Sequence, residues 1–133
     1  MDQSIKQGIQ ECAEQSNAGA ITFPEGVGAL MKLGVESYFA DYRSGEITYY
    51  TKQGDTCTAS LNLQHVDVPL LFDAAAIQEA IRASQRDEIR YPEFKKRSIA
   101  AGCVGYFVWI DGRQVSYYGR RGEVHVEKFP DKK

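Results

Sequence analysis

Cysteine and histidine are scarce in this chain of 133 residues. Its 3 cysteines are an odd number with no C-x-x-C spacing, and there are only 2 histidines. Such a set argues against a disulfide framework and against a zinc site with four thiolate ligands. We therefore expect reduced, mostly buried thiols, and we predict neither a metal site nor a cofactor.

Long apolar segments and familiar catalytic motifs are also missing. No apolar run approaches the roughly 20 residues that a membrane-spanning helix needs. The segment Met1–Lys6 lacks the basic and apolar regions of a secretory signal. The sequence contains no phosphate-binding glycine loop, no G-x-S-x-G and no H-E-x-x-H. These absences predict a cytoplasmic protein without membrane contact, and they favour a non-enzymatic role.

The most informative feature that is present is a repeat at a spacing of 68 residues. Positions 9–56 and 77–124 share 13 identities in 48, whereas unrelated segments would share roughly three. We interpret this as a duplicated unit, with repeats at about 5–63 and 73–129 in a single domain of residues 1–133. The identical pairs include Tyr38 and Tyr106, Phe39 and Phe107, Tyr49 and Tyr117, and Tyr50 and Tyr118.

Each repeat has the pattern of two helices followed by three strands. The second helix begins near Pro24 or Pro92 and ends at Gly34 or Gly102, which are favoured residues for those positions. The predicted strands are Val35–Tyr42, Ile47–Lys52, Thr56–Leu63, Cys103–Ile110, Gln114–Gly119 and Val124–Phe129. One such unit buries too little surface to be stable alone. We therefore expect a pseudo-twofold α+β domain in which two antiparallel meanders join or face one another, with four helices on one side.

Aromatic residues alternate along the predicted strands. Because successive side chains point to opposite faces of a sheet, Phe39, Phe107 and Trp109 share a face. Each tandem pair, Tyr49-Tyr50 and Tyr117-Tyr118, sends one ring to each face. If helices cover one face, the aromatics of the other form a surface of the kind that binds a partner. Ordinary packing under helices or under a second subunit is the alternative.

Charge is unevenly distributed between the two halves. Residues 1–68 hold 4 basic and 9 acidic residues, for a net charge of −5, whereas residues 69–133 hold 12 basic and 9 acidic residues, for +3. Opposite charges can attract the halves to each other, bring two chains together head to tail, or give the second half an anionic partner.

A basic segment of the second repeat raises the possibility of nucleic-acid binding. Arg120 and Arg121 follow Tyr117-Tyr118 closely, and Arg113 lies across the predicted hairpin. Arginines interleaved with aromatics can stack on bases and pair with phosphates. The net charge of the whole chain is −2, which makes single-stranded nucleic acid the weakest of the partners considered.

The repeat also places Cys57 opposite His125. If equivalent positions approach a local axis, these two side chains can meet as thiolate and base or as two metal ligands. Solvated strand residues are the alternative, because no further ligands occur at a recognisable spacing.

Several motifs together resemble a known family. They are Ile21-Thr22-Phe23-Pro24-Glu25, Gly34-Val35-Glu36-Ser37-Tyr38, Thr48-Tyr49-Tyr50, Tyr91-Pro92-Glu93-Phe94, Ala101-Gly102-Cys103-Val104-Gly105-Tyr106 and Tyr117-Tyr118-Gly119-Arg120. From about Ile9 to Pro130 the chain resembles the bacterial and prophage family known as domain of unknown function 1398. The resemblance implies a phage or prophage connection, since some members are labelled phage envelope protein, and it implies no established activity or catalytic residues.

The sequence therefore supports one leading hypothesis and two alternatives. The leading hypothesis is an uncharacterised, non-enzymatic binding or structural module that uses its aromatic sheet surface and forms a homodimer. The first alternative is a small-ligand-binding protein or enzyme with a pocket between the repeats, lined by tyrosines with Cys57, Cys103 or His125. The weaker alternative is single-stranded nucleic-acid binding through Arg113, Arg120 and Arg121.

Overall fold

The computed structural model describes residues 1–130, and within them two helices followed by three strands occur twice. The first half contains α1 (Gln3–Asn17), α2 (Phe23–Lys32), β1 (Val35–Asp41), β2 (Glu46–Thr51) and β3 (Thr56–Ser60). The second half contains α3 (Ala74–Gln85), α4 (Tyr91–Ala100), β4 (Cys103–Trp109), β5 (Gln114–Gly119) and β6 (Val124–Lys128).

The strands form one six-stranded antiparallel sheet in the order β3-β2-β1-β4-β5-β6. The two meanders join edge to edge through β1 and β4, where Phe39 pairs with Phe107. The predicted α+β class, with four helices and an antiparallel sheet, is confirmed. The pseudo-twofold relation between the halves stays a prediction.

Proline and polar caps set the starts of the second helix in each half. Pro24 lies in the first turn of α2, and Thr22 and Glu25 form a capping box in which each side chain accepts a hydrogen bond from the other residue's backbone N–H. Pro92 occupies the same place in α4, but the N-cap residue Arg90 makes no capping bond. Both starts lie where the sequence predicted them, within a residue or two.

The third strand of the first half is shorter than predicted. It ends at Ser60, because Asn62 adopts a left-handed backbone conformation with φ of 57° and turns the chain away from the sheet. The connection to α3 follows directly.

Within residues 1–130, all four helices contact the same face of the sheet. Gln10 of α1 donates to the sulfur of Cys57, Arg82 of α3 pairs with Glu127, and Tyr91 of α4 contacts Tyr106, while α2 packs on β1. The buried strand residues on this face are Tyr38, Ala40, Ile47, Tyr49, Cys57, Ala59, Tyr106, Val108, Val115 and Tyr117. They form one core with Ile9, Leu30, Ile77, Ile81 and Phe94 of the helices. No helix within residues 1–130 is both long and apolar enough to cross a membrane.

Candidate functional site: a tyrosine-lined cavity

A cavity of about 310 Å³ lies between the helices and the covered face of the sheet. Ala13 of α1 and Gly26 of α2 line it from the first half, and Ser84 of α3 and Phe94 of α4 line it from the second. Side chains from both meanders form its floor. The cavity therefore lies between the two halves, where the sequence placed the pocket of the first alternative.

Five tyrosines dominate the cavity wall. Tyr38 and Tyr49 are cross-strand neighbours on β1 and β2, with ring centroids 5.3 Å apart. Tyr106 and Tyr117 are the corresponding neighbours on β4 and β5, at 5.6 Å. Tyr91 projects from the start of α4 and meets the Tyr106 ring edge-on. Residues directly opposite each other on neighbouring strands point to the same face of the sheet. The four strand tyrosines therefore all point toward the helices.

Three of these tyrosines have a buried ring and a hydroxyl group without a hydrogen-bond partner among the described residues. Tyr38, Tyr49 and Tyr117 are only 6%, 3% and 6% exposed, and their hydroxyl groups bond to no other residue in the described range 1–130. Tyr106 differs, because its hydroxyl donates to that of Tyr91 at 2.6 Å. Among residues 1–130 the fully buried side-chain polar atom without a partner is Nε2 of His125, so these three hydroxyl groups keep access to the open space of the cavity. They are therefore free to bond with water or with a ligand there.

Burial also fixes the ionisation state of the tyrosines. Loss of solvation raises the pKa of Tyr38, Tyr91 and Tyr106 well above the ordinary value, and it raises that of Tyr49 and Tyr117 as well. The hydroxyl groups are therefore neutral at physiological pH, and each can both donate and accept a hydrogen bond.

Most charged groups around the cavity are already paired. The Glu127 carboxylate lies 2.7 Å from a guanidinium nitrogen of Arg82. The Arg90 guanidinium lies 2.6 Å from Asp87 and also donates to the carbonyl oxygen of Gly19 at 3.0 Å. Lys128 is exposed at the rim. The interior consequently offers hydroxyl groups and apolar surface rather than a free charge.

A buried lysine lies beside the cavity. The Lys95 ammonium donates to the Asn17 side chain and to the carbonyl oxygen of Leu61, two residues that line the cavity. It also sits 4.9 Å from the centroid of the Tyr91 ring. Burial lowers the pKa of Lys95 to about 8. Lys95 thus links α4 to the end of α1 and to the residue that follows β3.

The three polar residues predicted to line a pocket do not line this one. Cys57, Cys103 and His125 lie outside the cavity wall, whereas Cys12, which the sequence did not single out, is part of it. Burial raises the pKa of the Cys103 thiol to about 11 and also raises that of Cys12. Both are therefore protonated, unreactive thiols near neutral pH.

The sequence raised a meeting of Cys57 and His125 only as a possibility, and the fold rules it out. Cys57 is buried rather than solvated, at 5% exposure. Cys57 is on β3 and His125 on β6, at opposite edges of the sheet. Five strand spacings separate those edges, or roughly 24 Å. The repeat relates the two positions, but the meanders join through β1 and β4, so equivalent residues of the third strands lie far apart. The buried Nε2 of His125 has no hydrogen bond and lies 3.7 Å from Glu127.

The face of the sheet opposite the helices carries the other aromatic residues named from the sequence. Phe39 and Phe107 have ring centroids 5.5 Å apart, Tyr50 stacks on Phe107 at 6.0 Å, and Phe107 stacks on Trp109 at 3.9 Å. Tyr118 lies on the same face, opposite Gly105 of β4. We call these five residues the aromatic face: Phe39, Tyr50, Phe107, Trp109 and Tyr118. In each tandem pair the first tyrosine, Tyr49 or Tyr117, lines the cavity, and the second, Tyr50 or Tyr118, lies on the aromatic face.

The three named arginines are placed at turns and are each engaged locally. Arg113 donates to the carbonyl oxygen of Pro130 and lies over the ring of Phe129. Arg120 donates to the carbonyl oxygen of Val68, and Arg121 pairs with Glu123. Within residues 1–130 they do not form one basic patch beside the aromatic face.

Sequence reasoning missed Tyr38, Tyr91 and Tyr106 as site residues. Tyr38 and Tyr106 were visible as a repeated pair in the sequence. Pairing residues across each predicted hairpin would have set Tyr38 opposite Tyr49 and Tyr106 opposite Tyr117. Tyr91 gives no such signal, because it reaches the cavity only through the packing of α4 on the sheet.

One comparison with known proteins identifies a family. The model of the family described as "Protein of unknown function (DUF1398)" matches residues 10–128, nearly the whole chain, which confirms the resemblance carried by the sequence motifs. No curated protein matches the chain.

Proposed function

The chain belongs to the DUF1398 family of unknown function, and we propose that it binds a small molecule in the tyrosine-lined cavity. The observation that carries this proposal is the set of three tyrosines, Tyr38, Tyr49 and Tyr117, whose rings are buried and whose hydroxyl groups have no protein partner around that space. These hydroxyl groups are not among the fully buried unpartnered atoms of residues 1–130, so they remain open to a molecule in the cavity. A ligand with polar atoms, or water that a ligand displaces, supplies their partners.

The size and lining of the cavity support the same function. Its volume of about 310 Å³ lies at the lower end of the range for small-molecule pockets, roughly 300–1,000 Å³. Leu30, Ile81 and Phe94 provide apolar walls beside the hydroxyl groups. Apolar walls with a few convergent polar groups are typical of ligand sites.

A neutral fluorescent probe tests the proposal directly. N-phenyl-1-naphthylamine emits strongly only in apolar surroundings, so it should show saturable, one-site binding to the wild-type protein. Ser84 lines the cavity from α3, and Ser84→Phe should fill part of the space and weaken probe binding by about tenfold or more, equivalent to about 1.4 kcal/mol.

The matched control is Glu79→Phe, an exposed position on the same helix. This variant should bind the probe like wild type, because its new ring points to solvent. Absence of saturable binding in the wild type, or equal weakening by both substitutions, would contradict the proposal.

A second candidate function is self-association through the aromatic face. The observation that favours it is a cluster of four contacting aromatic rings, Phe39, Tyr50, Phe107 and Trp109, with Tyr118 on the same sheet face opposite the helices of residues 1–130. Exposed apolar clusters of this kind mark interaction sites. The sequence-based hypothesis of a non-enzymatic binding module rests on this surface.

We propose a second copy of the chain as the occupant of this face. The first half carries a net charge of −5 and the second +3. On the face itself, Asp41 and Glu46 lie on β1 and β2, and Lys128 lies on β6. A twofold axis parallel to the strands places the acidic half of each copy over the basic half of the other, so the charges complement each other.

Light scattering tests this dimer. Wild-type protein should reach a dimer mass at high concentration, and Phe107→Lys should remain monomeric because it places a charge in the centre of the interface. Gln78→Lys, an exposed change on α3, should dimerise normally. A wild-type protein that stays monomeric at millimolar concentration would eliminate this candidate.

A cytoplasmic location and a prophage connection complete the proposal. The first is supported by the three cysteines, all of which are free, and the second by the family resemblance. Cell fractionation tests the location. Expression that is independent of prophage induction would argue against the connection.

A further inference from the structure

We infer that the ligand of the cavity is a neutral, mostly apolar molecule with hydroxyl or carbonyl groups, of the chemical class of aromatic alcohols and phenols. This inference rests on the proposed small-molecule binding and specifies the chemistry of the ligand. It follows from the charges, the hydroxyl groups and the shape of the cavity.

Charge pairing argues for a neutral ligand. Glu127 is already paired with Arg82, and Arg90 with Asp87. Among the described residues, the one buried cation nearby without a carboxylate partner is the Lys95 ammonium, which is not part of the cavity wall and already donates to Asn17 and Leu61. An ionic ligand would therefore enter without a counter-charge on the wall itself, and burying an unpaired ion costs several kcal/mol. Lys128 borders the cavity, but it is exposed and alternates with Glu127 onto the opposite face of the sheet, so its ammonium group gives no counter-charge inside.

The hydroxyl groups argue for polar atoms that donate or accept hydrogen bonds. Tyr38 and Tyr49 place two hydroxyl-bearing rings side by side in the first half, and Tyr117 places a third in the second half. Neutral hydroxyl groups match ligand hydroxyl and carbonyl groups equally well, since both partners can adjust their donor and acceptor roles. A ligand that lies across the junction of the halves can therefore satisfy polar groups from both.

The surrounding rings argue for an aromatic ligand body. The floor rings are tilted by 38° within the first pair and by 41° within the second, and Phe94 packs beside Tyr117 at 6.2 Å. These rings present both faces and edges to the cavity. A flat ligand ring can use offset or edge-on contacts with them, each worth about 0.5–1.5 kcal/mol.

Three naphthalene derivatives separate these properties by competition with N-phenyl-1-naphthylamine. At pH 7 the set is 2-naphthol, which is neutral and polar, 2-methylnaphthalene, which is neutral and apolar, and 2-naphthoate, which is anionic. We expect 2-naphthol to bind about tenfold more tightly than 2-methylnaphthalene, the gain from about one buried hydrogen bond. We expect 2-naphthoate to bind most weakly.

Tyrosine-to-phenylalanine variants locate the hydrogen bond. Tyr38→Phe, Tyr49→Phe and Tyr117→Phe, made singly, remove a hydroxyl that has no partner in the protein, so each should fold at least as stably as wild type. At least one should lower the affinity for 2-naphthol by about fivefold to tenfold and leave that for 2-methylnaphthalene unchanged.

Tyr42→Phe is the matched control. Tyr42 is fully buried and its hydroxyl bonds to that of Ser98 at 2.8 Å, away from the cavity wall. This variant should lose stability, because it removes the buried bond between Tyr42 and Ser98 while Ser98 still donates to the Phe94 carbonyl oxygen. It should bind all three compounds like wild type.

The outcomes distinguish this inference from the proposed function. Equal binding of 2-naphthol and 2-methylnaphthalene, or no effect of any cavity tyrosine, would overturn the polar part and leave small-molecule binding in place. Tightest binding by 2-naphthoate would overturn the neutral part. If the fluorescent probe binds but none of the three compounds displaces it, the ligand class is wrong. If the probe itself does not bind, the proposed function fails and this inference fails with it.

Discussion

At the scale of single residues, two equivalent glycines allow a controlled test of packing. Gly34 and Gly102 both have left-handed backbones, with φ of 88° and 91°. A Cβ atom at Gly34 would meet no heavy atom within 4 Å, whereas one at Gly102 would overlap the carbonyl oxygen of Leu71. Gly34→Ala should cost about 1–2 kcal/mol for its backbone conformation, and Gly102→Ala should cost about 1–3 kcal/mol more for the overlap.

Chemical denaturation of both variants measures this difference. Because the backbone term is common to the two substitutions, subtraction leaves the steric term at Gly102. Equal losses in the free energy of unfolding would show that the connection at Leu71 moves aside without cost.

The same residues show what the sequence reveals at this scale. Both glycines were predicted to end a helix because glycine adopts the left-handed conformation readily, and both have positive φ angles. The close approach of Leu71 to Gly102 was not predictable, because it depends on the path of an irregular connection. Strand alternation likewise placed the two rings of Tyr49-Tyr50 on opposite faces, but only the position of the helices decides which ring is buried.

At the scale of helices and strands, the sequence predicted where elements begin but not how they pack against each other. Pro24 and Pro92 marked the starts of α2 and α4 correctly, because a fixed φ suits the first helical turn. The sequence left open whether the meanders join or face one another. Backbone pairing of β1 with β4 joins them edge to edge. The residue pattern of neither strand showed in advance whether it would be a central strand or an edge strand.

The sequence raised a pocket between the halves only as an alternative, and it carried no information on the shape of that pocket. Its helix walls use small side chains, namely Ala13 and Ser16 on α1, Gly26 on α2 and Ser84 on α3. Small residues on a helix face usually allow close packing, so they give no sign of empty space by themselves. Opposite these small side chains the sheet presents large tyrosine rings, and the hydroxyl groups of three of them have no protein partner.

At the scale of the whole molecule, Lys95 connects the two halves. It belongs to α4 of the second half, and its ammonium group bonds to Asn17 and Leu61 of the first. The residue is only 4% exposed, and no carboxylate of the described residues bonds to it. Its charge is therefore held by a side-chain amide and a backbone carbonyl, which compensate only part of the lost hydration.

Lys95 makes the stability of the protein depend on pH in a defined window. Burial lowers the pKa of Lys95 from 10.5 to about 8 in the folded state, so between these values the unfolded chain binds more protons than the folded one. Stability then rises with pH across this window. Below pH 8 the folded protein carries the full free-energy cost of burying the charged ammonium group. That cost disappears as the group loses its proton, which raises the free energy of unfolding by an amount on the order of 1–3 kcal/mol.

A comparison with Lys95→Met isolates this effect. The buried tyrosines act in the opposite direction above pH 10, because their pKa values are raised by burial and only the unfolded chain ionises there. That contribution is common to both proteins and cancels in the difference. From pH 7 to 9.5 the wild type should therefore gain free energy of unfolding relative to Lys95→Met, as measured by urea denaturation. Parallel pH profiles would mean that the two oxygen acceptors keep the ammonium group fully charged, and that the halves meet around a lysine whose burial carries no electrostatic cost.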